Sequence, residues 1–219
     1  MQGYSVPLQF FIDGPIMSSM VDFSGVIHHM SPELLRVLGV PSGKLEDVPD
    51  RSILRLIPEA RGRERLAHVR RVISNRKPCV LRSVAAGMQF VTHILPLEDT
   101  AGAPQSCAFA LHLRTEGRIE RDQFPANSDY VEADHNDFGP LAGLTKREAE
   151  VLALLAEGAD GPEIADKLHR SAETVSSHQK SLYAKLRCPS RMHAMIIARR
   201  AGLSMRDVQR IISPRVESN

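Results

Sequence analysis

Between residues 174 and 206 the chain has no Asp or Glu, although a quarter of its residues are charged. The same stretch holds Lys180, Lys185, Arg187, Arg191, Arg199, Arg200 and Arg206. Its apolar residues recur at helical spacing, so this charge lies along helices and not along a loop. A shorter helix and a tight polar turn, His169-Arg170-Ser171, come directly before it. A basic, acid-free helix behind such a turn is suited to the major groove of double-stranded DNA.

Bulk charge gives no such hint, because the 219 residues sum to only +2. The distribution is more telling. Residues 1–114 carry 13 Lys/Arg against 10 Asp/Glu, residues 115–140 carry 2 against 7, and residues 141–219 carry 13 against 9. That pattern predicts an acidic, solvated linker (115–140) between two mildly basic domains. Cys79, Cys107 and Cys188 are odd in number and far apart, which argues against a disulfide framework or zinc site and suits a reducing cytoplasm. No basic flank precedes an apolar stretch at the N-terminus, and no apolar run approaches 18 residues. Neither a signal peptide nor a membrane partner is therefore expected.

The helix boundaries in residues 141–219 are written in capping residues. Thr145 with Glu148 fits a capping box that opens a helix, Val151, Leu152 and Leu155 form its apolar stripe, and Gly158 is the left-handed stop. Asp160 caps a second helix that tolerates Pro162 in its first turn and buries Ile164, Ala165 and Leu168. Ser171 caps a third helix, 172–186, with Val175, Leu182 and Leu186 inward. Its other face offers Ser176, Ser177, Gln179, Lys180 and Ala184, short or long-polar side chains that can approach bases and reach phosphates. Ser190 caps a fourth helix ending at Gly202, and Ser204 starts a short fifth.

Leu144-Thr145-x-Arg147-Glu148-x-Glu150-Val151-Leu152-x-Leu154-Leu155-Ala156-x-Gly158 resembles the opening of a LuxR-type helix-turn-helix domain. So do Glu163-Ile164-Ala165-x-x-Leu168, Thr174-Val175-x-x-His178 and Lys185-Leu186. The resemblance covers about residues 141–203. It implies an all-α four-helix DNA-binding domain, with the third helix in the major groove and the fourth often at a dimer interface. Two positions depart from the family pattern. Ser176 stands where a Lys usually follows Thr-Val, and Gly161-Pro162 stands where Asn-Lys usually precedes Glu-Ile-Ala.

In residues 1–114, strands are expected over 16–22 and 25–30. A helix start at Ser31-Pro32, short turns near 53–57 and a long amphipathic helix over 61–75 follow. Three strands come last, over 79–85, 88–97 and 106–113. This order, with Val21-Asp22-x-x-Gly25-Val26-Ile27 and Leu35-x-x-Leu38-Gly39, resembles a PAS domain over about residues 10–114. That resemblance implies a five-stranded antiparallel sheet with helices, used to sense small molecules, light or redox state, or to dimerise. The fold class expected for the whole chain is thus α+β, a PAS-like domain joined to a helical one.

No cofactor is established by these residues. The flavin-adduct cysteine segment is absent, and Cys79 and Cys107 read as core fillers on strands. His68 is the one tempting axial haem ligand, with Arg70 and Arg71 beside it, but an ordinary helix histidine is the favoured reading. His28 and His29 are adjacent and point to opposite faces, so they do not share a metal. Phe90, Thr92 and Ile94, or Phe109 and Leu111, or the opposite alternation could line a ligand pocket, and a filled core serves equally well.

The expected function is a cytoplasmic bacterial transcription regulator, homodimeric on DNA, with a small-molecule ligand or protein partner at the PAS-like domain. Ser176, Ser177 and Lys180 are the candidates for base edges. Thr174, His178, Lys185, Arg187 and Arg191 are the candidates for phosphates. The alternative is a protein-interaction module with weak or absent specific DNA binding, which the departures at Ser176 and Gly161-Pro162 favour. The acidic linker could also dock on the basic helices in competition with DNA. An enzyme is a distant third, since no nucleophile–base pair, metal spacing or phosphate loop is visible.

Overall fold

The computed structural model describes residues 16–97 and 106–212. Its strands are β1 (Ser18–Asp22), β2 (Ile27–Met30), β3 (Cys79–Ala85), β4 (Met88–Pro96), β5 (Cys107–Arg114) and β6 (Asp129–Glu132). Its helices are α1 (Pro32–Val37), α2 (Ile53–Leu56), α3 (Glu59–Asn75), α4 (Lys146–Ala156), α5 (Gly161–Leu168), α6 (Ala172–Leu186), α7 (Arg191–Arg200) and α8 (Val208–Ile212). The chain divides into two compact units. Of the described residues, one contains 16–82, 91–97, 106–113 and 124–133. The other contains 83–90, 114–123 and 134–212.

The strands form one sheet in the order β2-β1-β5-β4-β3-β6. β1 runs antiparallel to β2 and to β5, whereas β6 runs parallel to β3, pairing Cys79 with Asp129 and Arg82 with Glu132. The sheet is therefore six-stranded and mixed, where five antiparallel strands were expected. The extra strand has a physical cause. β3 would otherwise be an open edge, and a segment from the region read as linker closes it. Asp129 anchors that strand through Lys77 and Arg71, and Glu132 lies 3.8 Å from Arg82. Phe124 stacks on Tyr130 and meets His93 edge-on, which adds apolar contact to the return of the chain.

In the first unit, α3 lays Leu66, Val69 and Val72 onto a cluster with Val21, Ile27, Leu35, Leu81, Ile94 and Ala108. Burying each such side chain stabilises by about 1.5–3 kcal/mol. The opposite alternation is buried too, with Phe109 against Met20 and Cys107. His112 bridges Ser19 Oγ at 2.9 Å and Thr92 Oγ1 at 3.1 Å. Burial, reinforced by the Arg65 charge, pushes its pKa down to about 4, so it is neutral at pH 7. Ser18 Oγ and His29 Nε2 are 3.0 Å apart, while His28 pairs with Asp22 on the other face. His68 Nε2 is buried without a hydrogen-bond partner, 4.0 Å from Glu64. All three cysteines are buried and free. Among the described residues, no group of three or more His, Cys, Asp or Glu is placed to hold a metal. No described helix is long and apolar enough to cross a membrane.

The β1–β2 turn is organised by one carboxylate. Asp22 Oδ1 accepts from the backbone N–H groups of Ser24, Gly25 and Val26 and from the Ser24 hydroxyl, and Oδ2 meets His28 at 2.8 Å. Burial opposes its ionisation. The Ser24 hydroxyl, His28 and the backbone N–H groups of Val26 and Gly25 outweigh burial and hold the carboxyl at about 2. Gly25, at φ +100°, supplies the conformation the turn needs. Asp22→Ala strands these donors and should lower stability by roughly 1–3 kcal/mol, read as a shift of the denaturation midpoint with unchanged m-value.

Candidate nucleic-acid interface

The second unit buries one apolar core under α4. Val151, Leu152, Leu155, Ile164, Val175, Leu182, Ala194 and Ala198 all belong to it. α4, α5 and α6 each start at a side-chain cap. Thr145 and Glu148 form both bonds of a capping box, and Asp160 and Glu163 form both bonds of another. Gly161-Pro162 occupies the first turn of α5, where a missing N–H costs nothing, so this departure leaves the helix intact. α5 ends at His169 in the left-handed region (φ 51°), and Ser171 Oγ accepts from Thr174 N at 3.2 Å to begin α6.

With Val175, Leu182 and Leu186 inward, a helix turning about 100° per residue places Glu173, Ser177, Lys180 and Ala184 on the opposite side. Ser176, Ser177, Lys180 and Arg187 are exposed, and Thr174 and His178 are half-buried. Arg187 ends the helix at φ 51°. The outward side is short and polar around one lysine, apart from the carboxylate of Glu173. An open concavity of about 650 Å³ borders the start of this face, lined by Ala165, Asp166, His169, Arg170, Ser171 and Thr174. His169 and Arg170 were not among the expected contact residues. Their place immediately before the Ser171 cap was the signal available.

Two of the expected phosphate ligands have partners inside the unit. Lys185 Nζ lies 2.7 Å from Glu148 Oε2, whose side chain is only 4% exposed. The other Glu148 oxygen accepts from Ser181 Oγ at 2.6 Å, and Oε2 also accepts from Thr145 N at 2.7 Å. Burial pulls the Glu148 carboxyl upward, but the Lys185 ammonium, the Ser181 hydroxyl and Thr145 hold it at about 2. Arg191 donates to Ala159 O at 2.9 Å and to Gly158 O at 3.4 Å, tying the start of α7 to the turn after α4. Lys185 thus braces the helix that carries the outward face, and Arg191 braces the start of α7. Ser190 sits at the head of α7 with its hydroxyl bonded to His193 Nδ1 at 2.8 Å and makes no side-chain cap, contrary to the expected one.

A two-helix corner with an exposed, acid-poor second helix is the geometry of a helix-turn-helix DNA-binding domain. Residues 142–198 match the family described as bacterial regulatory proteins, luxR family. The oxygen regulatory protein NreC of Staphylococcus carnosus is 27% identical over 204 residues, 86% of this chain and 87% of that protein. The transcriptional regulatory protein LnrK of Bacillus subtilis is 42% identical over 65 residues, 30% of each chain. Among solved structures, a Vibrio cholera VqmA–ligand–DNA complex is 19% identical, covering 90% of this chain and 88% of that one with a TM-score of 0.47. Residues 142–198 form a LuxR-type helix-turn-helix domain, and the chain is a DNA-binding transcription regulator.

Proposed function

We propose that the protein binds a two-fold DNA site as a homodimer, with α6 in the major groove and a PAS-like N-terminal domain that senses a signal or mediates dimerisation. The observation that carries this reading is the outward side of α6. Ser176, Ser177 and Lys180 stand exposed there, on a helix fixed from behind by Val175, Leu182 and the Glu148–Lys185 pair. In this reading Ser176, Ser177 and Lys180 meet base edges, and Thr174, His178 and Arg187 meet phosphates. Lys185 and Arg191 contribute positive potential from their braced positions. Met192 and Ile196 are 63% and 40% exposed on one side of α7, an apolar surface that suits a second copy of the chain. The domain limits that go with it are 1–114, 115–140 and 141–219.

Lys180→Ala is the test of the groove-facing side. It should weaken binding, and it should make the slope of log affinity against log salt shallower by about one unit if the ammonium meets a phosphate and not a base edge. Unchanged affinity and slope in a titration at several salt concentrations would remove Lys180 from the interface. A second reading, partner binding without strong sequence-specific DNA binding, draws on the Glu173 carboxylate on the same side and on Ser176. A chain that captures another protein through α6 and retains no duplex would favour it.

A further inference from the structure

The β3–β4 turn packs with the helices of the second unit, and one side chain does most of the joining. Gln89 is fully buried. Its Nε2 donates to Thr115 Oγ1 at 3.1 Å and to Gly117 O at 2.9 Å. Thr115 N returns a bond to Gln89 O at 3.2 Å. Gly117 N donates to Arg199 O at 2.8 Å, in the last turn of α7, where helix carbonyls need outside donors. On the other side of the amide, Gly202 ends α7 with φ +59°. A Cβ there would fall 1.9 Å from Gln89 Oε1. The space that a side chain at residue 202 would need is filled by this amide. The turn itself is pinned by Asp137, whose carbonyl accepts from Gly87 N at 3.0 Å and whose carboxylate accepts from Ala86 N at 3.2 Å.

We infer that Gln89 is a positioning residue of the DNA-binding unit: seated on Gly202 and linked through Gly117 to Arg199, it fixes the C-terminal end of α7. This rests on the reading of α6 and α7 as the DNA-binding helices. The consequence is mechanical. α7 carries the exposed Met192 and Ile196, so its orientation sets how two copies present their α6 helices. A buried amide cannot slide without breaking its bonds to Thr115 and Gly117, which favours discrete positions over gradual drift.

The test uses Gln89→Ala, Gly202→Ala and the double variant in the full chain. Gly202→Ala should lower the thermal midpoint, because of both overlap with Gln89 and the left-handed backbone. Adding Gln89→Ala should restore part of that loss by removing the overlapped side chain. Gln89→Ala alone should speed hydrogen exchange at Gly117 N–H by about tenfold or more, with amides in the middle of α4 unchanged. It should also weaken binding to the duplex that the wild type selects by about threefold or more, at an unaltered salt slope, since no phosphate contact is lost. Additive midpoints, unchanged Gly117 exchange or unchanged affinity for that duplex would each overturn the assignment. The midpoint and exchange readouts need no DNA. A wild type that binds no duplex would therefore sink the proposed function, while these two readouts would still decide whether Gln89 is seated on Gly202.

Discussion

A Glu148→Gln chain is expected to lose roughly 2–3 kcal/mol at pH 7, a fall of about 10 °C or more in the midpoint of the helical unit. The amide keeps the shape of the carboxylate and removes its charge. Lys185 then loses its partner, and the capping bond to Thr145 N weakens. The wild-type contribution depends on pH in a defined direction. The carboxyl titrates near 4.5 when unperturbed and at about 2 in the folded chain. The stabilisation is complete above about 4.5 and disappears as pH falls through about 2. Wild type and variant should therefore differ most at neutral pH and converge near pH 2. A constant difference across that window would show that Glu148 acts through packing alone. The expected phosphate role of Lys185 is separable: Lys185→Met should reproduce part of the stability loss even where no DNA is present.

Ser177→Glu should leave folding nearly untouched and lower DNA affinity by roughly ten- to a hundredfold, the worth of about 1–3 kcal/mol at a base edge. Ser177 is exposed on the side of α6 opposite Val175 and Leu182, and Glu suits a helix interior. The new carboxylate would meet phosphate and base acceptors with the wrong sign, next to the carboxylate already present at Glu173. Circular dichroism and the melting midpoint serve as the control. Wild-type affinity for the selected duplex would place some other surface on DNA.

The helices of the second unit were legible because their ends are set locally. Thr145 with Glu148, Asp160 with Glu163, and Ser171 with Thr174 all satisfy backbone donors within one turn. Ser190 has the same chemistry in sequence, yet its hydroxyl finds the His193 ring, a competition that residue type alone does not reveal. β6 was missed because only Tyr130 and Val131 lie between Asp129 and Glu132, too few for an alternating pattern, and its partner strand begins 50 positions earlier. Lys185 and Arg191 were read as phosphate contacts because both are cations in the acid-free stretch. Their engagement depends on Glu148 and on the carbonyl of Ala159, neither of which is a sequence neighbour. Gln89 was invisible for the same reason, since a polar residue near a turn reads as solvated until Gly202 is found against it. Local caps were readable, and long-range pairing of polar groups was not.

Selection of bound duplexes from a random DNA pool by the full-length protein, at two salt concentrations, tests the central claim most directly. The expected result is an enriched motif with two-fold symmetry, its half-sites separated by one helical turn or a multiple of it, still recovered at the higher salt. Binding that is purely salt-sensitive, with no sequence enriched from the pool, would contradict it.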